Sequence, residues 1–404
     1  MMGTDVLILN NATVDLRSRE FGFVEELVGP GGLAKCDLDD MPHYEPAQYR
    51  KWIEQGLADP GGPGNSAPLM AHAGLDVAVG SYIGAGNYGG LDARGRFVYD
   101  TLADAGVDVS ALHVHPSLPT GTTFVCEHEA DKRGGLAYFP NANDDFDFET
   151  FKEDVIRLDP GVVYYMYSGL SRGGDANGGR DLADFARWCR DRGALTLVDS
   201  HTLCADPQKV ISSGEPIDQY RLLRPLLPEL DLFFTSSDEA CMIENTLGEA
   251  RDWSRLDEAE LARHFLRYVA DNFLQEDERQ RLFGITVTDG AYYTVGSPRE
   301  GYCDARKVKS RFMAGRAVDL VGAGDAFRAG LLTYFVRHRD QFRGGEAEVD
   351  EAIQMGNLFA SLYIKAPLHD RCRYIRPYKN MLSAVREDRT YADLDELLAH
   401  LESA

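Results

Sequence analysis

The stretch VDLVGAGDAFRAGLL, Val318 to Leu332, sets three small residues, Gly322, Ala323 and Gly324, directly before Asp325. Ala326, Phe327, Ala329, Gly330, Leu331 and Leu332 follow, and they read as a helix of small and apolar residues able to pack closely. Gly322 and Gly324 lack Cβ, so the backbone can turn sharply and aim consecutive N–H groups at one point. The helix adds the positive end of its dipole. Such a turn holds a phosphoryl group while charge spreads over it, and Asp325 stands where it could accept the proton of an attacking hydroxyl. The same residues also suit a plain turn in which Asp325 caps free N–H groups, so the rest of the chain has to decide.

Upstream, DVLILNNATVD (Asp5 to Asp15) begins as an apolar strand and turns polar, which places Asn11 and Asp15 just beyond its carboxyl end. Apolar runs recur at DVAVGSYIG, GVVYYMYSG, ALTLVDS, DLFFTSS and LFGITVTDG, separated mostly by helical patterns such as GGRDLADFARWCRDRG and LDEAELARHFLRYVADNFL. Strands alternating with helices predict an α/β fold: a doubly wound, mostly parallel sheet flanked by helices, with ligands outside the carboxyl ends of the strands. Two regions break the alternation. A polar insertion runs from Arg17 to Pro60, and TGTTFVCEHEADKRGGLAYF reads as a β-hairpin turning at EADKRGG, Glu129 to Gly135. Residues of about 16–60 and 118–142 are expected to form a small β-rich lid on a single domain spanning 1–404; an ordinary surface excursion is the equal alternative for the insertion.

Composition narrows the function. The chain is 404 residues long, with 44% hydrophobic and 26% charged residues, which is ordinary for a globular protein. A net charge of −23 and no basic stripe exclude a nucleic-acid partner. Any polyanion would have to be attracted by local backbone N–H groups, a helix start and a divalent cation. No apolar run is long enough for a membrane span, and no basic segment precedes the N-terminal apolar stretch, so a cytoplasmic protein without membrane partners is expected. Seven scattered cysteines form no CxxC pair and read as reduced thiols. His113 and His115 alternate along a strand, and no HxxxH spacing suggests a metal.

A second glycine-rich motif, GGPGNSAPLMAHAGLDVAVGSYIG, runs from Gly61 to Gly84. Gly61, Gly62 and Gly64 let backbone approach a small polyol, and Asn65 offers both a donor and an acceptor; by itself, though, the motif favours a loop ending in a helix cap at Asn65 or Ser66. GPGGLAKC lacks the GxxxxGK[ST] spacing of a P-loop, and SRGGDANGGRD carries no GxGxxG.

Taken together, the two motifs resemble those of the PfkB, or ribokinase-like, family of carbohydrate kinases. Gly61, Gly62, Asn65, Ala67, Gly74 and Gly84 fall at the spacing of that family's N-terminal signature, and Asp319, Gly322, Ala323, Gly324, Asp325, Ala329 and Gly330 fall on its C-terminal signature. The resemblance implies a ribokinase-like fold and an ATP-dependent kinase acting on a hydroxyl of a small sugar, with Mg2+ and, in several members, K+. It implies Asp325 as catalytic base and Gly322, Ala323 and Gly324 as the anion hole. Asp15, Gly62 and Asn65 would contact the sugar, with Asn11 a further candidate. Thr288 and Gly290 in TVTDGAYYTVG, and Asn357 in QMGNLFASLYI, would border the nucleotide. Glu239 in TSSDEACMI matches the acidic member of an NxxE element that organises magnesium, but Ser236 replaces its asparagine. Leu320 and Val321 stand where threonines usually precede GAG, beside a loop that holds a monovalent cation in several members, and Asp199, Ser200 and His201 stand in place of DPN. A homodimer through the lid follows by the same analogy. The alternatives are a kinase of adenosine-like nucleosides and a non-catalytic sugar-binding protein of the same fold.

Overall fold

The structure is a computed structural model describing residues 3–126, 134–313 and 315–403. Valine, isoleucine, leucine and aromatic runs become strands because bulky side chains pack well on a pleated, buried surface. In chain order the strands are β1 (Val6–Leu9), β2 (Thr13–Ser18), β3 (Leu33–Lys35), β4 (Ala58–Gly61), β5 (Val77–Gly86), β6 (Gly90–Leu91), β7 (Asp108–His115) and β8 (Gly121–Cys126). They continue as β9 (Leu136–Phe139), β10 (Val162–Ser168), β11 (Leu195–Ser200), β12 (Leu232–Ser236), β13 (Arg281–Val287), β14 (Gly290–Ser297), β15 (Gly301–Tyr302) and β16 (Arg306–Lys309).

An 11-stranded sheet follows the path β15-β14-β13-β12-β11-β10-β1-β5-β6, with β16 beside β14 and β7 beside β5. The run from β5 through β1 to β13 is parallel, as is β7 on β5, and antiparallel pairing is confined to β6 and β14–β16 at the two ends. Helices cover both faces. Val6 and Ile8 point into one apolar cluster while Leu7 and Leu9 point into the other, all fully buried. Each such side chain contributes roughly 1.5–3 kcal/mol on burial, which is why these strands read as unbroken apolar runs. This is the doubly wound arrangement expected from the sequence.

Strand order reverses at β1, whose neighbours β5 and β10 lie on opposite sides. Just past its carboxyl end, Asn10 and Asn11 both adopt left-handed backbone, with φ of 74° and 54°. That paired turn sends the chain into a second, five-stranded sheet of order β3-β9-β8-β2-β4. Asp15 therefore lies inside β2, opposite Asp59 of β4 and Thr123 of β8, rather than in a loop after β1. The Arg17–Pro60 insertion supplies β3 and most of β4. It is anchored by Phe21, whose ring packs edge-on against Trp52 at 5.3 Å and Phe124 at 5.1 Å. β8 and β9 pair antiparallel as a hairpin; residues 129–133 of its expected turn lie outside the described residues.

All seven cysteines are free. His113 and His115 face Asp154 at 2.7 Å and Asp145 at 3.0 Å, which makes them carboxylate partners rather than a metal pair. Among the described residues no helix is long and apolar enough to cross a membrane.

The helix Ala323–Arg337 lies against the helix Val349–Lys365. A Cβ on Gly330 would sit 2.4 Å from the Met355 carbonyl oxygen, and one on Gly356 would sit 2.7 Å from Phe327. The close packing expected of the small-residue helix thus depends on glycine at the crossing. Gly330→Val is expected to lose about 1–3 kcal/mol or more by overpacking. A lowered urea midpoint checks this, with Gly22→Ala, where an added Cβ meets nothing within 4 Å, left unchanged.

Candidate active site

The GAG turn sits at the start of the helix Ala323–Arg337. Gly322 has φ 83°, and a Cβ there would strike the Tyr363 hydroxyl at 2.5 Å, so glycine serves both the left-handed backbone and the close approach. The first helical turn leaves the N–H groups of Gly324 and Asp325 without intrahelical acceptors. The turn itself is half-exposed, whereas Asp325 is 6% exposed beneath it. Backbone donors and a helix dipole thus face outward beside a buried carboxylate, the geometry of an anion site.

Asp325 is held by named partners. Its Oδ2 accepts from the Asn65 amide at 3.1 Å and the Tyr167 hydroxyl at 2.7 Å. Its Oδ1 lies 3.7 Å from the Arg328 guanidinium, one helical turn on. Burial, partly opposed by Arg328 and reinforced by the nearby Asp199 carboxylate, lifts Asp325 from its ordinary value of 3.8 to about 6. That shift means the fold disfavours the charged form by roughly 3 kcal/mol. Arg328 is locked in turn: it donates to the Phe234 carbonyl at 2.8 Å and pairs with the fully buried Asp199 at 3.3 Å. Asp199 also accepts from the Tyr164 hydroxyl at 2.9 Å and the Tyr167 N–H at 2.8 Å. The latter bond secures Tyr167, which has a left-handed φ of 61°. Burial first, then Asp325 and Asp199, push the Tyr167 hydroxyl well above its ordinary value, so it stays protonated and donates.

The Gly61–Asn65 segment closes in on Asp325 from the second sheet. A Cβ on Gly61 would lie 2.2 Å from Asp15 Oδ1, and Asn65 four residues later touches Asp325. One short turn therefore links the second sheet to the GAG helix. Asp15 accepts from the Thr13 hydroxyl at 3.1 Å, and burial, opposed by Arg17, raises its pKa. Gly62, at φ 57°, packs against the Asn11 carbonyl, which a Cβ would meet at 2.0 Å. The Asn11 amide donates to the Met166 carbonyl at 2.7 Å and accepts from the Tyr138 hydroxyl, so both of its polar atoms brace the protein. Asn65 is oriented by the Tyr363 hydroxyl, which donates to its Oδ1 at 2.9 Å.

On the other flank, Thr288 is exposed at the turn between β13 and β14, and Gly290 opens β14 opposite Lys309. Asn357 is buried and donates to Gln354, whose amide donates to the Lys309 carbonyl at 2.8 Å. Glu239 follows the carboxyl end of β12, the parallel neighbour of β13. It is a buried helix cap. Its Oε2 accepts from the Ser236 N–H at 2.9 Å and the Thr235 hydroxyl at 2.7 Å, while the Ser236 hydroxyl accepts from the Glu239 N–H. Among the described residues, the hydrogen bond of Glu239 Oε1 is to the Thr202 hydroxyl, at 3.5 Å. One hard oxygen therefore remains, and among the described residues no group of three His, Cys, Asp or Glu is placed to hold a metal. Such a site fits Mg2+ carried mainly by water and phosphate oxygens.

Tyr167, Tyr363 and Arg328 escaped the sequence reading. Arg328 carries a signal, since it is the one charged residue between Asp325 and Arg337 in an otherwise small and apolar helix. Tyr167 meets Asp325 across 158 positions of chain, and nothing local announces it.

A profile of the pfkB family carbohydrate kinases matches residues 43–261 and 290–372. No curated protein matches the chain. Among solved structures, a probable sugar kinase protein from Rhizobium etli CFN 42 is 19% identical, with a TM-score of 0.59 over 96% of this chain and 98% of that one. Adenosine kinase from Schistosoma mansoni is 15% identical, with a TM-score of 0.64 over 91% and 97% of the two chains. Fructokinase from Xylella fastidiosa, solved with bound ATP, is 16% identical, with a TM-score of 0.63 over 95% and 99%. At these identities the structures attest the ribokinase-like fold, while the family match extends over most of the sequence and includes both glycine motifs. The chain belongs to the PfkB family of carbohydrate kinases and is a phosphotransferase.

Proposed function

We propose that this protein is an ATP-dependent kinase that transfers the γ-phosphate to a hydroxyl of a small sugar. The observation that carries the reading is the joining of a buried carboxylate, an outward-facing GAG turn and the Asn65–Asp15 side in one place. Asp15 and Asn65 would hold the sugar, with Gly62 allowing close backbone approach. Asn65 and Tyr167 hold Asp325 Oδ2, which leaves Oδ1 to accept the hydroxyl proton. Phosphoryl transfer is loose, so the proton moves late and the base needs only a modest pKa. The N–H groups of the GAG turn would stabilise the transferring group, and Thr288, Gly290 and Asn357 would border the nucleotide. Bound Mg2+ would neutralise phosphate charge, with Glu239 reaching it through water. The second sheet, carrying Asp15, would act as the lid that excludes competing water.

A nucleoside acceptor is the second reading. The Tyr167 ring, beside Asp325, packs perpendicular to His201 with centroids 5.0 Å apart, which offers an aromatic wall where a base could lie. Adenosine kinase from Schistosoma mansoni shares the fold. An ATP-coupled assay over sugars and nucleosides separates the two. Turnover of a sugar far above that of any nucleoside upholds the first reading, and the reverse order replaces it.

Two outcomes are expected of Asp325. First, Asp325→Asn should lose at least about 10²-fold in kcat, the low end for a positioned base. The folded pKa, about 6, lies above the ordinary 3.8, so this carboxyl's contribution to stability is greatest below pH 3.8 and is lost as pH rises through 6. At pH 8 the variant should therefore melt no lower than the parent, which calorimetry checks. Second, kcat/KM should climb with pH and level off above about 6, where the free enzyme's base is ionised. Removing the Arg328 charge by Arg328→Met should move that midpoint upward, because an opposite charge favouring the carboxylate is gone.

A further inference from the structure

The loop entering the GAG turn carries an ion-pair network unused by the chemistry above. Asp319 Oδ2 accepts from Arg17 at 2.9 Å and from Arg371 at 2.7 Å, and its Oδ1 accepts from the Val321 N–H at 3.2 Å. The neighbouring carbonyls are taken as well. Ile364 O accepts from the N–H groups of Val318 and Asp319, and Tyr363 O accepts from Arg371 at 3.3 Å. Arg17 also pairs with Asp59 at 2.9 Å and lies in the field of Asp15, so two guanidinium groups serve three carboxylates.

A resident monovalent cation needs a ring of oxygens to replace its hydration shell. Here the oxygens of Asp319, Tyr363 and Ile364 already accept from N–H donors, and two fixed guanidinium groups already supply positive charge among the carboxylates. The residues present do not fit K+ at this loop.

We propose that Arg371, together with Arg17, is a permanent built-in cation for the loop before the GAG turn, so that this chain orders its anion hole without K+. The inference rests on the kinase reading of the site. A guanidinium keeps its charge at every physiological pH and does not dissociate. Arg371 reaches further than its charge. Its guanidinium lies 4.7 Å from the centroid of the Tyr363 ring, whose hydroxyl orients Asn65 on Asp325. Arg17 extends from β2, two residues beyond Asp15, so the same pair ties the second sheet to the turn. Arg371 touches no reacting atom in this arrangement and is a positioning residue.

The test compares the wild-type enzyme in KCl, NaCl and choline chloride at matched ionic strength, reading turnover and melting temperature. Turnover is expected to agree within about twofold across the three salts, since only screening remains. The melting temperature should not depend on which cation is present. Arg371→Ala should lose at least about tenfold in kcat through misplacement of the turn, be partly restored by free guanidinium ion and not by K+, and be matched in part by Arg371→Lys. A rise of more than about fivefold in wild-type turnover specific to K+ would overturn the proposal, as that size marks a genuine coupled site. So would a K+-specific rise in wild-type melting temperature, or an Arg371→Ala variant with parental kcat. Should Arg371→Ala fail to fold, the wild-type salt comparison decides alone. Should no acceptor be phosphorylated, the kinase reading falls, while the melting series still judges whether K+ binds.

Discussion

The molecule is organised around the need to keep one carboxylate charged where water cannot reach it. Asp325 loses solvation beneath the GAG turn, and that loss outweighs the help it receives, because its pKa still rises to about 6. The offset comes from two hydrogen-bond donors on one oxygen and a guanidinium near the other. Arg328 would itself be unstable as an isolated buried charge, so Asp199 and the Phe234 carbonyl are required behind it. Each layer exists to make the layer in front of it tolerable. The outcome is a carboxylate ionised at neutral pH yet with a raised affinity for a proton.

That network recruits from far apart in the chain, and the fold makes the meeting possible. Asp199 and Tyr167 come from the ends of adjacent parallel strands, Arg328 and Asp325 from one helix, and Asn65 from the turn that follows β4. The left-handed Asn10–Asn11 pair is the pivot that lets β2 leave the large sheet and bring Asp15 alongside. Arg17, itself paired with Asp59, then fastens that second sheet to Asp319, close to the GAG turn.

Much of the architecture was legible because its causes are local. Apolar runs of strand length, periodic helices and the small-residue helix after Asp325 state their own structure, and the β8–β9 hairpin showed in its alternation. The Arg17–Pro60 insertion was ambiguous because what packs it, Phe21 against Trp52 and Phe124, joins side chains 31 and 103 positions apart. Asn11 illustrates a different limit. An asparagine after a strand end looks the same whether its amide faces a ligand or a backbone carbonyl, and here it faces the carbonyl of Met166. The GAG turn and the carboxylate beside it could be read from their adjacency in the chain, whereas Tyr167 and Tyr363 entered only with three-dimensional proximity.

The backbone of Tyr167 narrows what that position can hold. A bulky residue held at φ 61° carries strain of order 1–3 kcal/mol, sustained by its amide bond to Asp199. Glycine would relax that conformation but would take away the ring and the phenol that donates to Asp325. Loss of a buried aromatic side chain costs about 3–5 kcal/mol, more than the strain relieved, so packing and the bond to Asp325 together hold tyrosine in a conformation its backbone disfavours.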